Sequence, residues 1–183
     1  MSEQSVYQRV SKQCFEMQGQ LTPTDFVDKL ETLLSSNKDE AANSAIADSL
    51  SFAYVRIGKI DEARSLLQRL ISQHPEDEMN YSKLASHFFY FEAKAELALT
   101  QVEIAEVKSR ASGRFRRMIL GQKARIALML ERYDLVNYCL AEIPKVLSNA
   151  AVPDVGRERD FFDKANPKMI EQEIRKQYLT YLD

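Results

Sequence analysis

Glycine and proline together supply only ten of the 183 residues, five each. Both fall well under the usual share of about 7% and 5%. A chain so poor in turn formers cannot close the many tight turns of a β-sandwich or barrel. Valine, isoleucine and threonine number 25, against 18 alanines and 19 leucines. That balance favours helix over strand. At this length, with 45% apolar residues, a single domain of residues 1–183 with a well-buried core is expected.

The punctuation falls where helices need it. Residues 1–43 predict two helices. The first carries Val6, Val10, Cys14, Phe15 and Met17 on an apolar face and ends near Gly19. The second starts at Thr22-Pro23, an N-cap followed by a first-turn proline, and presents Phe26, Val27, Leu30, Leu33 and Leu34. Residues 44–77 then read as a helical hairpin. Leu50, Ala53 and Tyr54 share one face, and Gly58 suits a left-handed helix end. Asp61 and Glu62 complement the N-terminus of the next helix, where Ala63, Leu66, Leu67, Leu70 and Ile71 recur until Pro75.

This hairpin resembles the tetratricopeptide repeat, a 34-residue helical pair. Leu50, Tyr54, Gly58, Ala63, Leu67, Leu70 and Pro75 fall at that repeat's spacings. Two degenerate copies follow. Tyr81, Leu84, Ala85 and Phe88 begin one, with Ala98, Val102 and Ala105 as its second helix if the turn holds one extra residue. No glycine or proline lies in 76–112, so one long helix is the rival reading there. Leu120, Ala124 and Ala127, a turn at Tyr133-Asp134, then Val136, Leu140 and Ile143 form the other copy, with Pro144 kinking or ending its second helix. Repeats thus span 44–147. Pro153, Asp154 and Gly156 mark a loop, and Asn166-Pro167 opens a terminal helix with Ile170, Ile174, Tyr178, Tyr181 and Leu182 in its stripe. The expected fold is all-α: a right-handed α-solenoid of helical hairpins, with extra N-terminal helices at 1–43 and a capping element at 153–183.

The resemblance implies a non-catalytic module, an adaptor, scaffold or chaperone, holding a protein or peptide segment in a concave groove lined by the first helices. By repeat spacing Phe52, Arg56, Lys83, Phe89, Tyr90, Gln122 and Arg125 face that groove, with Asp48, Ser86 and Met129 beside them. Arg117 joins Arg125 on one helical face, with Gly121 between them. Rings beside cations suit a partner with acidic and apolar side chains. Packing between neighbouring repeats would account equally well for Phe52, Phe89 and Tyr90. The clamp with which tetratricopeptide co-chaperones hold acidic chaperone termini is built of Lys, Asn and Arg residues, and the matching positions here are Asp48, Phe52, Lys83, Met118 and Gln122. Of these only Lys83 is a cation and Asp48 would repel a carboxylate, so that clamp is not expected.

Residues 107–132 hold eight basic side chains, Lys108, Arg110, Arg114, Arg116, Arg117, Lys123, Arg125 and Arg132, against Glu131, in a protein of net charge −2. They read either as a solvated face paired with Glu96, Glu103 and Glu106 or as a surface for nucleic acid or another polyanion. Overall charge gives nucleic acid no general attraction. Cys14 and Cys139 with His74 and His87 make no zinc spacing and no nucleophile signature. No enzyme activity, metal or cofactor is expected. No apolar run reaches membrane-spanning length and the start lacks a signal peptide's pattern, so a cytoplasmic protein without a membrane partner is expected. Partner identity and oligomeric state are not encoded legibly.

Overall fold

The computed structural model describes residues 3–113, 115–146, 165–166 and 168–176. Among them the regular elements are helical: α1 (Glu3–Gln18), α2 (Pro23–Ser36), α3 (Glu40–Arg56), α4 (Ile60–Gln73), α5 (Glu78–Phe91), α6 (Ala95–Ser112), α7 (Arg116–Met129) and α8 (Tyr133–Glu142), then a 3-10 turn at Ile143–Lys145. The chain resolves into two compact units, Met1–Leu70 and Ile71–Asp183.

In the first unit α1 and α2 both pack on α3. Thr22 caps α2 as its sequence implies: the hydroxyl accepts from the Asp25 amide at 3.2 Å and donates to the Asp25 carboxylate at 2.6 Å. Asp39 caps α3 by accepting from the Ala42 amide at 2.8 Å. Phe15 does not join the apolar face of α1; it is 75% exposed. The inward stripe is Tyr7, Val10, Cys14 and Met17, at alternating three- and four-residue steps. Phe15 lies about 100° round the helix from Cys14 and so points away. In α4 Ala63, Leu66, Leu67 and Leu70 are buried, the stripe expected from the sequence.

The second unit resolves the ambiguity at 78–112. It is a hairpin, with α5 packed on α6. Ala93 takes the left-handed conformation that glycine would favour, at φ +52°, and the Lys94 amide donates back to the Phe88 carbonyl at 2.9 Å. This wrap is one residue longer than in the 44–77 hairpin, where the Lys59 amide reaches the Tyr54 carbonyl at 2.9 Å. The expected insertion is therefore present.

α6 then packs on α7, and α7 on α8. The turn between α7 and α8 is not made by Tyr133-Asp134. It lies at Leu130–Arg132, with Glu131 at φ +55°, and Tyr133 already begins α8. The reason is that Glu131 supplies the left-handed residue without a glycine to announce it. α8 passes into the 3-10 turn at Pro144, which has no amide hydrogen to continue an α-helix.

Beyond it, residues 168–171 are not helical, so the helix expected to open at Asn166-Pro167 is displaced; Pro167 itself lies outside the described residues. Helical residues begin at 172, because the Asn166 side chain accepts from the Lys168 amide at 3.1 Å and closes a local turn. Ile170 is buried and Ile174 half-buried against the core of α7 and α8. Arg114, the 153–156 loop, Tyr178, Tyr181 and Leu182 lie outside the described residues.

Candidate peptide-binding face

Helices α5 and α7, the first helices of two successive hairpins, meet along a polar ladder. Ser82, Ser86 and Tyr90 stand at i, i+4 and i+8 on α5, one above another. The Ser82 hydroxyl donates to Gln122 Oε1 at 2.6 Å. Gln122 Nε2 donates to the Ser82 carbonyl and the Ser86 hydroxyl, each at 2.8 Å. One turn further, Arg125 Nη1 donates to the Tyr90 hydroxyl at 3.3 Å. Phe89 packs edge-on against Tyr90, with ring centroids 4.9 Å apart. Tyr90 is 55% exposed, and Met129, one turn beyond Arg125, is 68% exposed.

Of the residues singled out from sequence, Phe89, Tyr90, Gln122 and Arg125 are thus brought together. Lys83 and Arg117 are half-buried on α5 and α7. Gly121, between Arg117 and Arg125, is buried, so the space beside it is packed and not open to solvent. Phe52 and Arg56 lie in the first unit on α3, both exposed and one turn apart, with Phe52 at 64%. One turn before them Asp48 accepts from the Tyr7 hydroxyl at 2.5 Å. Sequence reasoning gave no role to Ser82 or Tyr7. Their signal was the i, i+4 spacing of Ser82 to Ser86 and the stripe position of Tyr7.

Much of the basic stretch is paired, in part with the anticipated Glu96, Glu103 and Glu106 and in part with Glu76 and Glu142, which were not anticipated. Lys108 meets Glu76 at 3.2 Å, Arg116 meets Glu142 at 2.9 Å, and Arg132 meets Glu96 at 3.0 Å. The expectation of a solvated face fails at Lys123. Its Nζ lies 2.8 Å from Glu106 and 3.5 Å from Glu103, and both Lys123 and Glu106 are buried. The Tyr138 hydroxyl donates to Glu106 at 2.6 Å, and Arg110 Nη2 donates to the same carboxylate at 2.5 Å. Burial drives the Glu106 carboxyl upward, but hydrogen bonds from Lys123, Tyr138 and Arg110 outweigh it and hold the group below its ordinary value of 4.5. Burial likewise opposes charge on Lys123, and the Glu106 carboxylate overcomes it, leaving the ammonium above its ordinary range. The pair is buried because α7 runs between α6 and α8, so that a side chain on its flank has no route to water.

Both thiols are free and buried. Burial pushes Cys139 up to about 12 and also raises Cys14. Neither is a thiolate at neutral pH, and the thiol form is a poor nucleophile. His87 Nε2 lies 3.2 Å from Glu92, both side chains buried at the α5–α6 turn. Among the described residues no group of three or more His, Cys, Asp or Glu side chains is arranged to hold a metal, and no helix is long and apolar enough to cross a membrane.

No protein-family model and no curated protein sequence matches the chain. Solved structures do. A Podosopora anserina protein assigned as a kinesin light chain, built of nearly identical TPR-like repeats, superposes with a TM-score of 0.59 at 16% identity, over 98% of this chain and 94% of that one. A point variant of that protein gives a TM-score of 0.62 at 16% identity, over 99% and 96%. At such identity the likeness is one of fold, and it agrees with the hairpin spacing, the left-handed turns and the small buried residues of each helical pair. The chain has the fold of tetratricopeptide-like helical repeats.

Proposed function

We propose that this protein is a non-catalytic interaction module, an adaptor, scaffold or chaperone, whose first helices hold a segment of another protein. The observation that carries the reading lies on the α5–α7 face, where exposed Tyr90 accepts from Arg125 and exposed Met129 stands one turn beyond it; in the first unit, Phe52 and Arg56 are exposed one turn apart on α3. Rings supply apolar area at little entropic cost, and guanidinium groups select acidic neighbours. The ladder of Ser82, Ser86 and Gln122 fixes the α5–α7 floor beforehand, so binding need not order it. The partner is a segment with apolar and acidic side chains. Two free thiols suit a reducing, cytoplasmic setting.

Polyanion binding through 107–132 is the weaker reading, because Lys108, Arg110, Arg116, Lys123 and Arg132 already meet carboxylates. The double variant Arg117→Glu with Arg125→Glu tests both. Protein capture should weaken more than tenfold, about 1.4 kcal/mol, while Arg132→Glu and the thermal melt stay near wild type. Unchanged capture by the folded double variant removes the proposal. Loss of salt-sensitive nucleic-acid binding in its place would support the polyanion reading.

A further inference from the structure

Helix α6 is apolar on two sides. Ala98, Leu99, Val102 and Ala105 face inward and are buried. On the opposite side Leu97, Thr100, Ile104, Val107 and Ala111 follow one another at steps of three, four, three and four residues. That is the spacing of a coiled-coil seam, which keeps one stripe turned toward a partner helix. Leu97 is 48% and Val107 64% exposed, Ile104 is half-buried, and Thr100 and Ala111 are exposed. The Thr100 hydroxyl donates within its own helix, to the Glu96 carbonyl at 3.1 Å, which leaves its methyl group for a partner. A second helix needs no such stripe: on α4 every exposed position from Asp61 to Gln73 is polar.

The charges beside the stripe run from acidic to basic along the helix. Glu96 and Glu103 flank its first half, Lys108 and Arg110 its second. Two of them keep atoms to spare on the same flank. Glu103 turns Oε1 toward Lys123 at 3.5 Å and makes no hydrogen bond among the described residues. Arg110 serves Glu106 and Tyr138 through Nε and Nη2, and its Nη1 makes no hydrogen bond among the described residues. An identical helix laid antiparallel sets the acidic half on the basic half. With Ile104 across from Val107 of the second copy, Glu103 comes opposite Arg110 twice, the two pairs related by a twofold axis. A parallel copy would have to rely on Lys108, whose side chain is 19% exposed and already committed to Glu76 and the Tyr81 ring.

We infer that the outer stripe of α6 is a self-association surface, occupied by α6 of a second copy of this chain in antiparallel register. The 18 residues of α6 give a seam about 27 Å long. A contact of that size belongs to the small class of interfaces, under about 1,200 Å² in total, so the dimer is weak and reversible. The surface lies on a second helix and takes no part in the α5–α7 ladder, so the inference stands apart from the binding role proposed for the first helices.

Sedimentation velocity on the full-length protein, from low micromolar to millimolar concentration, should show a monomer–dimer equilibrium. Val107→Asp puts a charge at the centre of the seam and should weaken the dimer by about tenfold or more, with the thermal melt unchanged because the position is on the surface. Register is read independently in a mixture of two single variants, Thr100→Cys and Ala111→Cys, under mild oxidation. Antiparallel pairing gives the mixed disulfide between positions 100 and 111, identified by mass spectrometry, while native Cys14 and Cys139 stay buried. A monomer across the whole concentration range overturns the inference. So does a dimer that Val107→Asp leaves intact, or disulfides that join like positions in place of the mixed product.

Discussion

The α3–α4 and α7–α8 turns have the same backbone and different sequences. In the first, the Gly58 amide donates to Val55 at 3.0 Å and the Lys59 amide to Tyr54 at 2.9 Å. In the second, the Glu131 amide donates to Leu128 at 3.0 Å and the Arg132 amide to Ala127 at 2.9 Å. Each pair is a left-handed helix cap that satisfies the last carbonyls. Gly58 sits at φ +80° and Glu131 at φ +55°. The hairpin imposes the geometry, and residue type sets only its cost. Glycine adopts it freely, whereas a side chain there costs about 1 kcal/mol. The two hairpins also differ in their supports: α7–α8 adds the buried Lys123–Glu106–Tyr138 network, while Ala63 and the leucines of α4 form an apolar stripe.

The largest effect should come from breaking that network. Glu106→Ala leaves the buried Lys123 ammonium without its main partner and should cost about 3–5 kcal/mol, read from the urea midpoint. Next, Ala63→Leu, at a position fully excluded from solvent, should cost about 1–3 kcal/mol through overpacking, with the m-value unchanged. Smaller and opposite in sign are the turn exchanges. A Cβ at Gly58 would meet nothing within 4 Å, so Gly58→Ala should lose about 1 kcal/mol from backbone strain alone. Glu131→Gly should be neutral or gain up to about 1 kcal/mol, since relief of strain offsets the added freedom of the unfolded chain. If both exchanges destabilise alike, the equivalence of the two turns fails.

Titration separates the supports further. Glu106 is held below its unfolded value, so its contribution is complete above about pH 4.5 and is lost as pH falls through the lower folded-state value. Glu106→Gln should flatten that acid slope. Cys139 is shifted upward, which makes its contribution complete below pH 9 and lost between pH 9 and about 12. Cys139→Ala should flatten this alkaline slope, measured by the melting temperature across that range.

The same contrast explains what the sequence made legible. Thr22-Pro23, Gly58 and Pro144 act through their own covalent geometry, and each stands at the expected boundary. Ala93 and Glu131 take left-handed angles that their side chains do not advertise, which is why the 78–112 hairpin stayed ambiguous and the later turn was displaced by about two residues. Glu96, Glu103 and Glu106 were visible as partners of Arg132 and Lys123 because they lie one helix away, whereas Glu76 and Glu142, the partners of Lys108 and Arg116, were not. The burial of Lys123 was not visible either, since it depends on α7 being flanked on both sides. On the candidate face, repeat spacing identified Tyr90, Gln122 and Arg125. It missed Ser82, whose role arises from a neighbour forty residues distant.

Exposed apolar residues of similar accessibility occur on first and second helices: Phe52, Tyr90 and Met129 on the former, Val107 at 64% on the latter. Only the first group stands beside the proposed cations. A photo-crosslinking amino acid placed singly at Phe52, Tyr90, Met129 and Val107, activated in cells and followed by identification of adducts, tests the binding reading most directly. Tyr90 and Met129 should give a shared protein adduct that Arg125→Glu abolishes, and Val107 should not give that adduct. The same adduct from Val107 alone, or in equal yield from all four positions, would contradict a binding face built on the first helices.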